Sequence, residues 1–186
     1  MNKSKTILLM LILACYLFLL VGCSDDSSDH KMLSIHDRDG NVIYIGMDRN
    51  SAEQIFGEPH DTFGGGYTYR HNDGQIVIVY RDNSIVLVSI QGSDIGWTTS
   101  RGADIGVTTL SELYELYTPY LFSNYTSPII FFDNYMNPIY IENQEHFDEI
   151  VTNGLHEYIL SFLVRVDNEI LNVITFGDRI ASITLR

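Results

Sequence analysis

The chain has 186 residues, 45% of them hydrophobic, and a formal net charge of −13 from 24 acidic against 11 basic residues. So acidic a balance leaves no basic footprint for nucleic acid and gives no electrostatic pull toward anionic lipid headgroups. The length fits one domain of usual size or two small ones.

Taken in chain order, Lys3 and Lys5 precede a run from Thr6 to Ser24 that carries no charge and is rich in Leu and Ile between Ile7 and Val21. A positive start, a short apolar core and a small residue at the boundary describe a secretory signal. A spanning helix needs roughly 20 apolar residues, so the run is short for one. Leu20-Val21-Gly22-Cys23 resembles the lipobox of bacterial lipoproteins, which implies a diacylglycerol thioether on Cys23 and its exposure as the new N-terminus. The cysteine count agrees with acylation, because removal of residues 1–22 discards Cys15 and leaves Cys23 without an intrachain partner. An uncleaved signal anchor and an ordinary signal peptide with an incidental cysteine are the competing readings. After cleavage, 186 − 22 = 164 residues remain, and loss of two lysines takes the net charge from −13 to −15. Ser24 to His30 has no apolar residue, so residues 23–31 read as a flexible tether.

The folded part opens with Met32–His36 and Asn41–Ile45, two extended runs around the turn sequence Asp37-Arg38-Asp39-Gly40-Asn41. Asp37, Asp39 and Asn41 mimic a fragment of a calcium loop, but the glycine comes one position early and no glutamate holds the twelfth position. A hairpin turn explains the stretch better. Next, "IGMDRNSAEQIFGEP" returns sixty residues later as "IGVTTLSELYELYTP". In each phrase a glycine ends an extended segment and a polar residue can cap a helix. The cap candidates are Asp48 or Asn50 in the first and Thr108 or Thr109 in the second. Ala52, Ile55 and Phe56 form one apolar stripe, and Leu110, Leu113, Leu116 and Tyr117 a broader one.

Strands are predicted after each helix. The first set is Tyr67–Arg70, Gln75–Tyr80 and Ile85–Ile90, joined by "HNDG" and "RDNS" turns. The second is Pro128–Phe132 and Pro138–Glu142, then a helix over Gln144–Thr152 ended by Gly154, then Glu157–Val166, Glu169–Thr175 and Ile180–Leu185 with "VDNE" and "FGDR" as turns. The fold class is therefore α+β, as two tandem helix-plus-antiparallel-sheet repeats after a cleaved lipoprotein signal peptide. The repeats are placed at 32–100 and 101–186, the second with an insertion at about 120–155. Alternation leaves both faces of the Gln75–Tyr80 strand apolar, so one short helix covers only one of them. Val86, Val88 and Ile90 are expected opposite Ile85 and Leu87.

The phrase "IG…S.E…FGEP" followed by a meander resembles the repeat unit of the beta-lactamase inhibitory protein and of small outer-membrane lipoproteins of the SmpA/OmlA type. "TTSRGADIG" (98–106) is similar to a phrase of bacterial lipoproteins with two such units. The resemblance spans roughly residues 40–186, and Tyr117-Thr118-Pro119 departs from its usual Gly-x-Pro. It implies a binding scaffold acting through its sheet; it does not imply an enzyme.

The residues agree on that last point. There is no Gly-x-Ser-x-Gly, His-Glu-x-x-His, phosphate loop or Cys-x-x-Cys. Phe63 to Tyr67 is glycine-rich without a dinucleotide fingerprint's spacing. His60-Asp61 and His71 with Asp73 are too loosely spaced to define a zinc site. No catalytic residue, metal ligand or cofactor is expected. Tyr114, Tyr117 and Tyr120 read as core, and Trp97 as buried. Tyr125 in "SNYTS" and Tyr135 in "DNYMN" lie among turn formers and are the candidate partner-binding residues, because rigid aromatic rings on loops supply binding hot spots. The rival reading folds each ring back on its own turn. The expected function is a membrane-anchored cell-envelope lipoprotein, facing the extracytoplasmic side, that binds an envelope or extracellular protein. A structural or assembly component of an envelope complex is the alternative, and a cell-wall-acting enzyme with paired carboxylates ranks below both.

Overall fold

The computed structural model describes residues 33–179, except 64, 72, 73, 94, 124–126, 166 and 168. Cys23, the tether and the Ile180–Leu185 strand expectation thus lie outside the described residues. Strands β1 (Ser34–Asp37) and β2 (Val42–Tyr44) precede helix α1 (Arg49–Phe56). The meander β3 (Asp61–Phe63), β4 (Gly66–His71), β5 (Gly74–Arg81) and β6 (Ser84–Gln91) follows, and then β7 (Trp97–Thr99). The second half contains α2 (Leu110–Tyr117), β8 (Ile129–Phe132), α3 (Gln144–Asn153), β9 (Tyr158–Val164) and β10 (Leu171–Asp178). The protein is α+β, with every described strand pair antiparallel. Among the described residues, no helix is long and apolar enough to cross a membrane.

A seven-stranded sheet runs β3-β4-β5-β6-β10-β9-β8, and a small sheet runs β2-β1-β7. Each helix-led half therefore makes a meander, and the last strands of the two meanders, β6 and β10, lie side by side in the middle. Their register pairs Val173 with Gln91 and Gly177 with Leu87.

The same backbone links occur in both halves. Gly46 N–H donates to the Ile85 carbonyl (2.8 Å) and Gly106 N–H to the Leu171 carbonyl (2.8 Å). Ile85 N–H returns to Met47, as Leu171 N–H returns to Thr108. Arg49 N–H then reaches the Asn83 carbonyl, and Leu110 N–H the Glu169 carbonyl. Both glycines have positive φ, 93° and 81°, a conformation that glycine adopts without a Cβ penalty.

Helix ends follow the local chemistry. Asp48 accepts from Ser51 N–H and caps α1. Thr109 and Glu112 form a reciprocal capping box on α2. Asn143 caps α3, which ends at Gly154 in the left-handed region. Without the Gly-x-Pro of the first phrase, α2 ends at Thr118, whose hydroxyl donates back to the Tyr114 carbonyl.

One face of the large sheet carries Tyr69, Ile76, Ile78, Val88, Ile90, Ile174, Phe176, Leu160 and Phe162, all buried in one core. Ala52 of α1, Leu113 and Tyr117 of α2, and Ile35, Ile43 and Trp97 of the small sheet complete that core. Ile85 joins it beside Val88 and Ile90, contrary to simple alternation. The register shifts between Val79 and Tyr80, so that Val79 pairs with Leu87 while Tyr80 pairs with Ile85. A β-bulge at Val86 resets the alternation.

Further departures from the sequence expectation have local causes. Pro138–Glu142 is not a strand; Pro138 makes only an isolated bridge to Phe132, and Ile139 N–H donates to Phe131. Proline has no N–H to extend a ladder. The "FGDR" turn does not form, because Phe176, Gly177 and Asp178 are the last residues of β10. Gly177 serves close approach of β10 to β6, where an added Cβ would lie 2.7 Å from the Val86 carbonyl oxygen. Tyr114 is 40% exposed, whereas Tyr117 is buried and Tyr120 half-buried against the core. Strands β3 and β7, three residues each, are too short to leave a periodic signal.

Candidate functional site

The second face of the large sheet is covered unevenly. From register, it presents Val77, Ser89, Thr175, Ser161 and Ile129 as one row, and Val79, Leu87, Gly177, Ile159 and Phe131 as the next. At the β8–β9 end, α3 lies over it. Ile150 and Phe147 pack there with Phe131, Ile141, Ile129, Ile159 and Phe122. Phe147 stacks on Phe122 with centroids 4.5 Å apart, and lies 5.5 Å from Phe131. Helix α3 therefore covers the β8–β9 end of the face, while Val77, Ser89 and Thr175 of the first row stay partly exposed.

His156, just past α3, helps to fix that helix. It is buried and its ring lies 4.4 Å from Phe131. Burial lowers its pKa, with the Ile150 backbone acting in the opposite sense and Arg179 in the same one. The imidazole is thus neutral at the α3 junction near pH 7. Gly154 leaves room for the Arg179 guanidinium, which an added Cβ would meet at 2.2 Å.

Beside α3 a groove of about 390 Å³ opens, with Phe122, Ile129, Gln144, Phe147, Leu163 and Val173 among its walls. Its floor is chemically mixed. Ser89 and Thr175 hydroxyls are hydrogen-bonded across the central seam (2.9 Å), and Ser161 donates to the Thr175 carbonyl (3.4 Å). Leu163, next to last in β9 and beyond the residues that pair with β8, is 46% exposed. The groove thus combines apolar walls with a floor whose hydroxyls are satisfied within the sheet.

Tyr135 is 73% exposed at the tip of the loop after β8. Asp133 holds that loop: its carboxylate accepts from Tyr135 N–H, Asn137 N–H and the Asn137 side chain. The identical arrangement occurs at Asp37, which accepts from Asp39 N–H, Asn41 N–H and the Asn41 side chain. The spacing Asp-x-x-x-Asn thus builds the same turn twice, and the calcium-like sequence is the β1–β2 hairpin. In the second turn Met136 occupies the positive-φ position taken by Gly40 in the first. Tyr135 follows the Phe132 end of β8, while the groove lies at the Ile129 end, beside Ser127. Tyr125 lies outside the described residues.

Sequence reasoning missed the aromatic cluster at α1. Arg49 lies 4.2 Å from the Tyr67 ring centroid and 5.3 Å from that of Tyr80, and it is paired to Glu53 at 2.6 Å. The Tyr69 and Tyr80 hydroxyls are 3.2 Å apart, and burial raises the pKa of both. These rings close the edge of the core, so the cluster is structural. Cross-strand contacts between β4 and β5 cannot be read from one strand at a time. Among the described residues, no group of three or more His, Cys, Asp or Glu converges as metal ligands would.

The fold and groove thus define an α+β protein with one sheet face partly open. No protein-family profile matches the chain, and no curated protein matches it significantly. Among solved structures it is similar to a cysteine-rich secretory protein of Staphylococcus aureus, at 10% identity and a TM-score of 0.39. The match covers 74% of this chain and 44% of that one. A likeness of that size defines neither a shared fold nor a shared function.

Proposed function

We propose that the chain is a bacterial cell-envelope lipoprotein, anchored through Cys23 on the extracytoplasmic side, whose two tandem units form a protein-binding module. The observation that carries the binding role is the open part of the sheet's second face, where Leu163 stays exposed beside an unfilled groove. The paired Ile-Gly links in the two halves support reading them as copies of one unit, with α3 as the addition that distinguishes the second. Tyr135, held out by the Asp133 turn, is a second contact point at the other end of β8. The tether of residues 23–31 reaches at most about 30 Å when extended, so the partner is met close to the membrane.

Two experiments test this. Cys23→Ala should abolish incorporation of labelled fatty acid and slow removal of the leader; undiminished labelling in that variant would remove the anchor. Photo-crosslinking residues placed at Leu163 and Tyr135 of the full-length chain, in cells, should give a discrete protein adduct, while one at exposed Asp82 should not. If neither Leu163 nor Tyr135 exceeds the Asp82 control, the sheet face is not a binding surface.

A further inference from the structure

Apolar exposure and charge are distributed asymmetrically along the chain. Among the described residues, the exposed large hydrophobics are Val107, Tyr114, Tyr135, Tyr140, Val151, Leu155 and Leu163. All of them belong to the second half. The same stretch, from Gly102 to Val164, contains nine Asp or Glu and no Lys or Arg. A stretch that exposes aromatic and aliphatic side chains and carries acids without bases favours a cationic, partly apolar polypeptide as its partner.

The groove beside α3 concentrates both properties. Its apolar walls include Phe122, Phe147, Leu163 and Val173. Its helical wall begins at Gln144, whose amide donates to Asp148 at 2.8 Å, so this carboxylate lies on the same side of α3 one turn on. Glu145 lies in the same first turn, and Val151, one turn beyond Phe147, is exposed. Arg165 lies two residues beyond Leu163 on β9's continuation, and Asp167 takes up its guanidinium through two contacts, at 3.1 and 2.8 Å. Among the described residues of that strand end the one cation, Arg165, is thus paired with an acid.

We propose that this groove binds a protein segment in which a large apolar side chain is flanked by Lys or Arg. The apolar residue enters between Phe147 and Leu163, and the flanking cations meet the carboxylates of Asp148 and Glu145. Association of this kind is steered by charge, and an apolar anchor then sets its lifetime. A second copy of the chain fits badly, because two mature chains of charge −15 repel each other. The inference rests on the binding-module reading and adds the chemistry of the partner.

The test is fluorescence anisotropy with the full-length chain in neutral detergent micelles. The probe is a short labelled peptide with a central Leu-Phe pair flanked on both sides by Lys and Arg. It should bind, with affinity that falls as salt is raised. A counterpart with Glu in place of each cation should not bind, and one with Ser at the centre should bind about tenfold more weakly or worse. Leu163→Gln, at an exposed position, should weaken the first peptide about tenfold with the melting temperature unchanged. Glu145→Gln with Asp148→Asn should weaken it and flatten its salt dependence. Equal binding of the Ser-centred peptide, or indifference to both sets of variants, would overturn the groove assignment in favour of unspecific charge attraction. If the peptides fail while the Leu163 crosslink persists, the partner chemistry is wrong and the module stands; if both fail, so does the module.

Discussion

Gly177→Ala should lower the unfolding free energy by about 3 kcal/mol, at the upper end of the cost of overpacking. The added methyl would lie 2.7 Å from the Val86 carbonyl oxygen and 2.9 Å from both Cα and Cβ of Leu87. Two of these three atoms are backbone, so no rotamer change relieves the clash. The strands must separate where β6 bulges, and β6–β10 is the seam that joins the two meanders. Total stability of a domain is of order 5–15 kcal/mol, so one methyl at the seam removes a large share of it. Urea titration of the variant is the measurement. A midpoint shift worth less than about 0.5 kcal/mol, the range of an inert surface change, would show that the seam accommodates a side chain.

The second large effect is expected at Thr99, a buried hydroxyl in the link between the halves. Tyr117 donates to Thr99 Oγ1 at 2.7 Å, and Ala103 N–H donates to the same atom at 3.0 Å. Thr99→Val keeps the shape and leaves both donors without that acceptor. An unsatisfied buried group costs about 1–3 kcal/mol, so the pair should cost on the order of 3 kcal/mol. Tyr117→Phe removes one of those donors and should cost about 1 kcal/mol, the net worth of a typical hydrogen bond. In the double variant the two losses should not add, since Thr99→Val no longer strands a tyrosine hydroxyl. Strict additivity in chemical denaturation would show that the two hydroxyls act independently. The phenol reports the same environment, for burial pushes the Tyr117 pKa up to about 12.

The candidate site has consequences that differ from these core effects. Leu163 and Asp148 are exposed, and their substitution should alter binding while the fold is retained. That separation is what a docking face on a rigid sheet predicts, because exposed side chains carry little of the core. Tyr135 belongs to the same class, since its turn is held by Asp133 and Asn137 and its ring contributes exposed area.

The sequence by itself determined the elements with strong local signals. The N-cap side chains and the apolar stripes marked α1 and α2, and Gly154 marked the end of α3. Asp82-Asn83, both at positive φ, marked the β5–β6 hairpin, because this turn type selects for such residues. Acidity and the lack of catalytic motifs were equally plain, as they depend only on composition and spacing. Tertiary structure alone decided the rest. The bulge that returns Ile85 to the core exists only as a register between two strands. Gly177 read as a turn because glycine's local preference is visible in the sequence, whereas the approach of a strand about ninety residues away is not. The pairing of β6 with β10 fused the two meanders into one sheet, and the placement of α3 over one end of its second face left the groove beside it. Local propensity acts over a few residues; which faces are covered depends on contacts between segments that the chain brings together only by folding.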